Sequence, residues 1–237
     1  MSTFLLVHGA WHGAWCWKTL IPLLESDGCR VIAPDLPGHG NDRTPVNDIS
    51  LDSYVQRIIL ELEKLEDEVI LVGHSMGGII ISEVAERCPE KIKCLVYLTA
   101  FLPLTGDSLS LMEKRNPCSA VPPSLIPSVD GLSATVKENR IIDLFYHDCS
   151  KDDIKLAENN LCPQALGLLD TPVELSDGRF GRIPRIYIEC SEDRALCHEF
   201  QKIMINAYPG TETYTLASGH SPFFSMPVKL AEILLSI

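Results

Sequence analysis

Short runs that are apolar at most positions recur along the chain: Phe4-Leu5-Leu6-Val7, Arg30-Val31-Ile32-Ala33, Val69-Ile70-Leu71-Val72-Gly73, Lys93-Cys94-Leu95-Val96-Tyr97-Leu98 and Arg185-Ile186-Tyr187-Ile188-Glu189-Cys190, with the more polar Glu212-Thr213-Tyr214-Thr215-Leu216 as a last one. Runs of this length predict strands, most of them buried on both faces. Between them the pattern changes period. Leu51, Tyr54, Val55, Ile58, Ile59, Leu62 and Leu65 fall three and four apart and predict a helix with one apolar face, capped by Ser50. Helices are also predicted from Trp17 to Glu25, ending near Gly28, and from Gly78 to Arg87, stopping at Cys88-Pro89. A further helix follows Cys190 and buries Leu196, Phe200, Ile203 and Ala207, and Pro227 opens a terminal one. Strands alternating with helices at this spacing predict a parallel, doubly wound sheet covered on both faces.

The rhythm breaks at about Phe101 and resumes after Arg182. The interval holds Pro117, Pro122, Pro123 and Pro127, helical pieces around Ala134–Tyr146 and Asp152–Asn159, and no strand-like run. Set between two strands at the carboxyl edge of the sheet, it reads as a helical cap over a site. The expected organisation is a core of 1–101 and 183–237 with a cap of 102–182. No internal repeat or low-complexity tract is visible.

Candidate chemistry begins at Gly73-His74-Ser75-Met76-Gly77, a G-x-S-x-G motif between the third strand and a helix. Strand, sharp turn and helix form the nucleophile elbow of an α/β-hydrolase fold, lifting a serine hydroxyl clear of the sheet in a strained backbone geometry. The flanking glycines are expected because a side chain would collide at so tight a bend. A serine hydroxyl needs a base, and the base an orienting acid, here in the chain order serine, acid, histidine. Of the seven histidines only His220, just beyond the last strand, fits the order and the place. His147 falls in the cap, His198 in a helix, and His74 is expected to pack or bond locally. For the acid, Asp193 is preferred because it lies three residues past a buried strand. Glu189 and Glu192 compete locally, Asp107 is a weaker alternative, Asp170 and Asp177 suit cap turns, and Asp35 reads as structural. An oxyanion hole would use the N–H of Met76 and, from the loop after the first strand, that of Ala10, with Gly9 allowing close backbone approach. Trp11 and His12 either line the substrate site or pack under the cap. Phe101, Leu102 and Phe145 are candidate walls, whereas Phe223 and Phe224 suit packing.

Composition narrows the setting. At 237 residues with 46% hydrophobic and 22% charged residues, the chain suits one α/β domain with an insertion. A net charge of −12 disfavours nucleic acid and anionic membrane surfaces as partners. The nine cysteines include no C-x-x-C pair, so neither a zinc site nor a dithiol redox motif is suggested, and Cys94 and Cys190 read as small buried hydrophobes. The first residues lack the pattern of a signal peptide, and no run approaches the roughly 18 apolar residues of a membrane span. A reduced, cytoplasmic protein is expected, with room for a homodimer.

The stretch from Leu6-Val7-His8-Gly9-Ala10-Trp11-His12-Gly13-Ala14-Trp15-Cys16-Trp17, the elbow with its strand, and Gly178-Arg179-Phe180-Gly181-Arg182-Ile183-Pro184 through Cys190-Ser191-Glu192-Asp193 and Glu199-Phe200-Gln201 together resemble the plant methyl esterase and hydroxynitrile lyase family and its bacterial esterase relatives. The resemblance covers nearly the whole chain except the early cap, about Thr105 to Ser133. It implies Ser75, Asp193 and His220 as a catalytic triad, with Ala10 and Met76 as oxyanion donors and neither metal nor organic cofactor. The lyase branch resembles a variant with threonine at the place of Gly9 and lysine at that of Ser221. His74 matches the esterase elbow better than the glutamate that some lyases carry there. The resemblance therefore implies a serine carboxylesterase acting on small to medium esters. Lyase or other non-hydrolytic chemistry and a small-ligand receptor are the alternatives, and a serine elbow disfavours aspartate-nucleophile reactions.

Overall fold

Nine strands punctuate the chain: β1 (Thr3–Val7), β2 (Arg30–Ile32), β3 (Val69–Ser75), β4 (Ile92–Ala100), β5 (Leu125–Pro127), β6 (Ser133–Val136), β7 (Gln164–Ala165), β8 (Arg185–Cys190) and β9 (Glu212–Leu216). They were located in a computed structural model, which describes residues 2–237. Six of them form one sheet in the order β2-β1-β3-β4-β8-β9, with every pairing parallel. Alternation along the strands splits the core in two. Leu5, Val7, Leu71 and Tyr97 face one layer with Ile80 and Val84 of the helix Gly77–Arg87. Phe4, Leu6, Ile70, Val72 and Val96 face the other, with Trp17, Leu20 and Leu230. Both sides of the central strands are thus covered, which is why they read as continuous apolar runs.

The helix Leu51–Leu62 buries the face its spacing predicts. Ser50 caps it by accepting from Ser53 N, while Ser53 Oγ accepts from Ser50 N, closing a reciprocal box. The helix after β8 departs from expectation. It spans His198–Asn206 and buries Phe200, Gln201 and Met204, leaving Ile203 53% exposed and Ala207 outside it. Gln201 is buried because its amide replaces a backbone partner: Oε1 accepts from Cys190 N, and Nε2 donates to Cys190 O and Leu196 O. At the amino end, the predicted helix from Trp17 is a 3-10 turn, Ala14–Trp17, followed by the helix Leu20–Ser26.

The segment between β4 and β8 is not purely helical. It contains the three-stranded antiparallel sheet β5-β6-β7 and short helices at Leu109–Arg115 and Lys151–Asn160. The helix expected over Ala134–Tyr146 is instead strand β6, then a turn of α-helix at Glu138–Ile141 and a π-helix at Ile142–Tyr146. β5 and β6 form a hairpin whose turn carries Asp130 and Gly131, the glycine at φ 72°. Strands this short, one ending in proline, lack the apolar run that marks the core strands.

The elbow after β3 is packed against its neighbours at van der Waals limits. A Cβ on Gly77 would stand 2.7 Å from Val7 O, and one on Gly78 only 2.2 Å from Phe101 O. Alanine is favoured over glycine in a helix by about 1 kcal/mol, but the second overlap is with backbone and cannot be relieved by a rotamer. Gly78→Ala is therefore expected to lose about 3 kcal/mol or more and to lower Tm by about 6–12 °C. A thermal melt within about 2 °C of the wild type would contradict this packing.

Candidate active site

The carboxyl ends of β1, β3, β4, β8 and β9 converge beneath the inserted segment. The order β2-β1-β3 makes β1 and β3 the point where the chain reverses its direction of winding, the usual place for a crevice in such sheets. Ser75 ends β3 at φ 53°, in the left-handed region that costs a non-glycine residue about 1–2 kcal/mol. The helix Gly77–Arg87 starts directly behind it with Met76 as its N-cap, so the positive end of its dipole lies at the elbow.

Ser75, Met76, Ala10, Trp11, Phe101, Phe145 and His220 all border one cavity of about 400 Å³. Its wall is otherwise mainly apolar, from residues such as Leu109, Val121, Leu125, Leu166 and Leu196. Gly9 and His12 do not border it. Gly9 packs behind the elbow, where a Cβ would come within 2.8 Å of Ser75 Cβ, so its role is spacing. His12 is buried under the loop. Burial drives its pKa down to about 3, keeping the ring neutral. Its Nδ1–H donates to Ala10 O at 2.7 Å, and the Tyr146 hydroxyl donates to Nε2 at 2.6 Å. Leu102 is also buried off the wall, its N–H on Met204 Sδ.

Of the competing acids only Asp193 meets His220. His220 Nδ1–H donates to Asp193 Oδ2 at 2.6 Å, with both side chains buried. Asp193 accepts three further bonds: Ala195 N and Leu196 N on Oδ1 at 2.7 and 2.8 Å, and Thr99 Oγ1–H on Oδ2 at 2.5 Å. Four donors on one carboxylate fix its position and orientation beside the imidazole. Glu189 is engaged with Thr215, Asp107 with Arg115, and Asp35 accepts from Ala14 N and Asn41 N. Asp170, expected in a cap turn, borders the cavity as well.

Two residues of this arrangement escape the sequence pattern. His74 pairs with His220 rather than locally: its Nε2–H donates to His220 O at 2.8 Å. Burial, and then the repulsion a protonated ring would meet beside the His220 imidazole, hold its pKa well below the ordinary value, so the ring is a neutral peg for the His220 loop. Thr99 sits at φ 37° in a β-bulge, the extra residue between the pairs His74–Leu98 and Ser75–Ala100. The bulge turns its hydroxyl toward Asp193. The inserted segment also clamps both loops, since Asp148 Oδ2 accepts from Gly219 N beside His220 and His147 Nε2–H donates to Glu192 O beside Asp193.

A family model described as the alpha/beta hydrolase family matches residues 4–233. The chain belongs to that family. Among its relatives in this family, Methylesterase 2 of Arabidopsis thaliana is 34% identical over 249 residues, covering 99% of this chain and 95% of the relative. A carbendazim hydrolyzing esterase of Nocardioides sp. is 33% identical and covers the whole of both chains. A solved methylesterase structure from Arabidopsis superposes with a TM-score of 0.88 at 27% identity, covering 100% of this chain and 98% of that one. These α/β-hydrolase relatives carry carboxylic ester hydrolysis in their names, the reaction class expected from the sequence, and do not favour the lyase alternative. Among the described residues no helix is long and apolar enough to cross a membrane, and no three His, Cys, Asp or Glu side chains gather as a metal site.

Proposed function

We propose that the chain is a serine carboxylesterase that works through an acyl-enzyme on Ser75. The reading rests above all on the 2.6 Å contact between His220 and Asp193 at the wall of the cavity that also holds Ser75. Ser75 Oγ attacks the ester carbonyl while His220 Nε2 takes its proton, and Asp193 stabilises the imidazolium. The N–H groups of Ala10 and Met76 receive the oxyanion. Collapse of the tetrahedral intermediate expels the alcohol, protonated by His220, and water then attacks the acyl-enzyme with His220 as base. The cavity's volume and apolar wall suit small to medium acyl or alcohol groups. Trp11, Phe101 and Phe145 would contact them.

The core of 1–101 and 183–237 then supplies the chemistry and the segment 102–182 the selectivity. Free thiols at all nine cysteines suit a reducing compartment such as the cytoplasm, and the net charge disfavours nucleic acid. A homodimer remains part of the proposal.

The test is a p-nitrophenyl ester series from acetate to decanoate, paired with mass spectrometry after treatment with a fluorophosphonate. Turnover peaking at short or medium chains, with one label per chain on Ser75, is expected. A folded protein that neither hydrolyses any member nor takes the label would refute the reading.

A further inference from the structure

One charged group on the cavity wall has no role in the chemistry above. Glu113 lies in the helix Leu109–Arg115, which Ser108 caps by accepting from Leu111 N. Leu109 and Glu113 are four residues apart and so share a face. Both border the cavity with Ser75 and His220. Ser119 Oγ–H donates to Glu113 Oε1 and fixes the carboxyl in place. No cation neutralises it: Arg115 is turned to Asp107 at 2.6 Å, and exposed Lys114 makes no ion pair with it among the described residues. Lys114 and Asp170 also border the cavity, but both are exposed and opposite in sign, so Glu113 is the half-buried charge left uncompensated.

A carboxyl in such a place takes up either a proton or a cationic ligand. Burial lifts Glu113 to about 7, against the lowering effects of Asn116 and His220, so without a ligand it shares a proton near neutral pH. A cation in the cavity would favour the carboxylate and bind more tightly for it.

We propose that Glu113 selects esters carrying a fixed positive charge, an ammonium group on either the acyl or the alcohol side, that comes to rest against its carboxylate. This specificity rests on the esterase reading above. It also implies that half-esters of dicarboxylic acids are poor substrates, since their free carboxylate would face Glu113.

Two pairs of shape-matched esters test it. One pair is p-nitrophenyl trimethylammoniobutanoate and its isostere with C(CH3)3 in place of N(CH3)3+. The other is acetylcholine and the acetate of the corresponding neutral tert-butyl alcohol. In at least one pair the wild type is expected to prefer the cation by about tenfold or more in kcat/KM, and Glu113→Gln to remove that preference. Glutamine keeps the shape and can still accept from Ser119, so a merely structural role would leave the ratio unchanged. Glu113→Asp, which keeps the charge, should retain part of it. Equal or weaker turnover of the cationic ester in both pairs would overturn the proposal, as would a preference that survives Glu113→Gln. A wild type that turns over the p-nitrophenyl acetate-to-decanoate series but neither member of either pair would overturn it too, whereas a protein inactive on that series and unlabelled by the fluorophosphonate would remove the esterase reading and this one with it.

Discussion

Ser75→Ala is expected to lower kcat for a short p-nitrophenyl ester by about four to six orders of magnitude while leaving the fold intact. The hydroxyl is the only atom lost, and alanine inherits the same left-handed backbone at φ 53°, so strain is neither added nor released. What survives is the contribution of the oxyanion donors and of binding in the cavity. The sharper form of the prediction concerns His220. If it serves only to take the proton of Ser75, His220→Ala should cost nearly as much, and the double variant no more than either single one. Steady-state rates of the three variants decide this. Losses that multiply would mean the two side chains act separately, and a Ser75→Ala variant within about a hundredfold of the wild type would place the nucleophile elsewhere.

Where the site was legible in the sequence, a single physical constraint wrote it there. Core strands covered on both faces must be largely apolar, so β1, β3, β4 and β8 appear as nearly continuous apolar runs, and the strand–serine–helix turn follows from their placement. Asp193 and His220 are legible because each lies in the loop just beyond a strand of the parallel sheet, the end of the sheet where such sites form. Residues whose role depends on a particular hydrogen bond or on the placement of a helix leave no such mark. Thr99 looks like one more strand residue until the bulge rotates it toward Asp193. Gln201 looks solvent-exposed until its amide is seen completing the hydrogen bonds of Cys190. Glu113 sits in the early cap, where prolines and polar residues hide a two-turn helix, and only the fold shows that its side faces the cavity. The cap hairpin is hidden for a different reason: β6 alternates over only four residues, and its partner β5 is three residues long with no buried side chain.

The same carboxylate that identifies the acid predicts how its loss should look. All four groups around Asp193 are donors: two backbone N–H groups on Oδ1, and Thr99 and His220 on Oδ2. Asparagine must put its NH2 toward one pair. The amides of Ala195 and Leu196 cannot turn away, whereas a hydroxyl can rotate and an imidazole can change tautomer. The NH2 should therefore face His220, whose Nδ1 becomes an acceptor and whose proton moves to Nε2. That nitrogen then points an N–H at Ser75 and cannot take its proton. Asp193→Asn is expected to cut kcat by about 10⁴ with a much smaller change in KM. Thr99→Val, which removes one of the four donors and leaves the tautomer alone, should cost only about tenfold. Both would be measured on one ester, with melting curves to confirm folding. An Asp193→Asn loss no larger than that of Thr99→Val would mean that Asp193 holds the loop together without controlling the proton on His220.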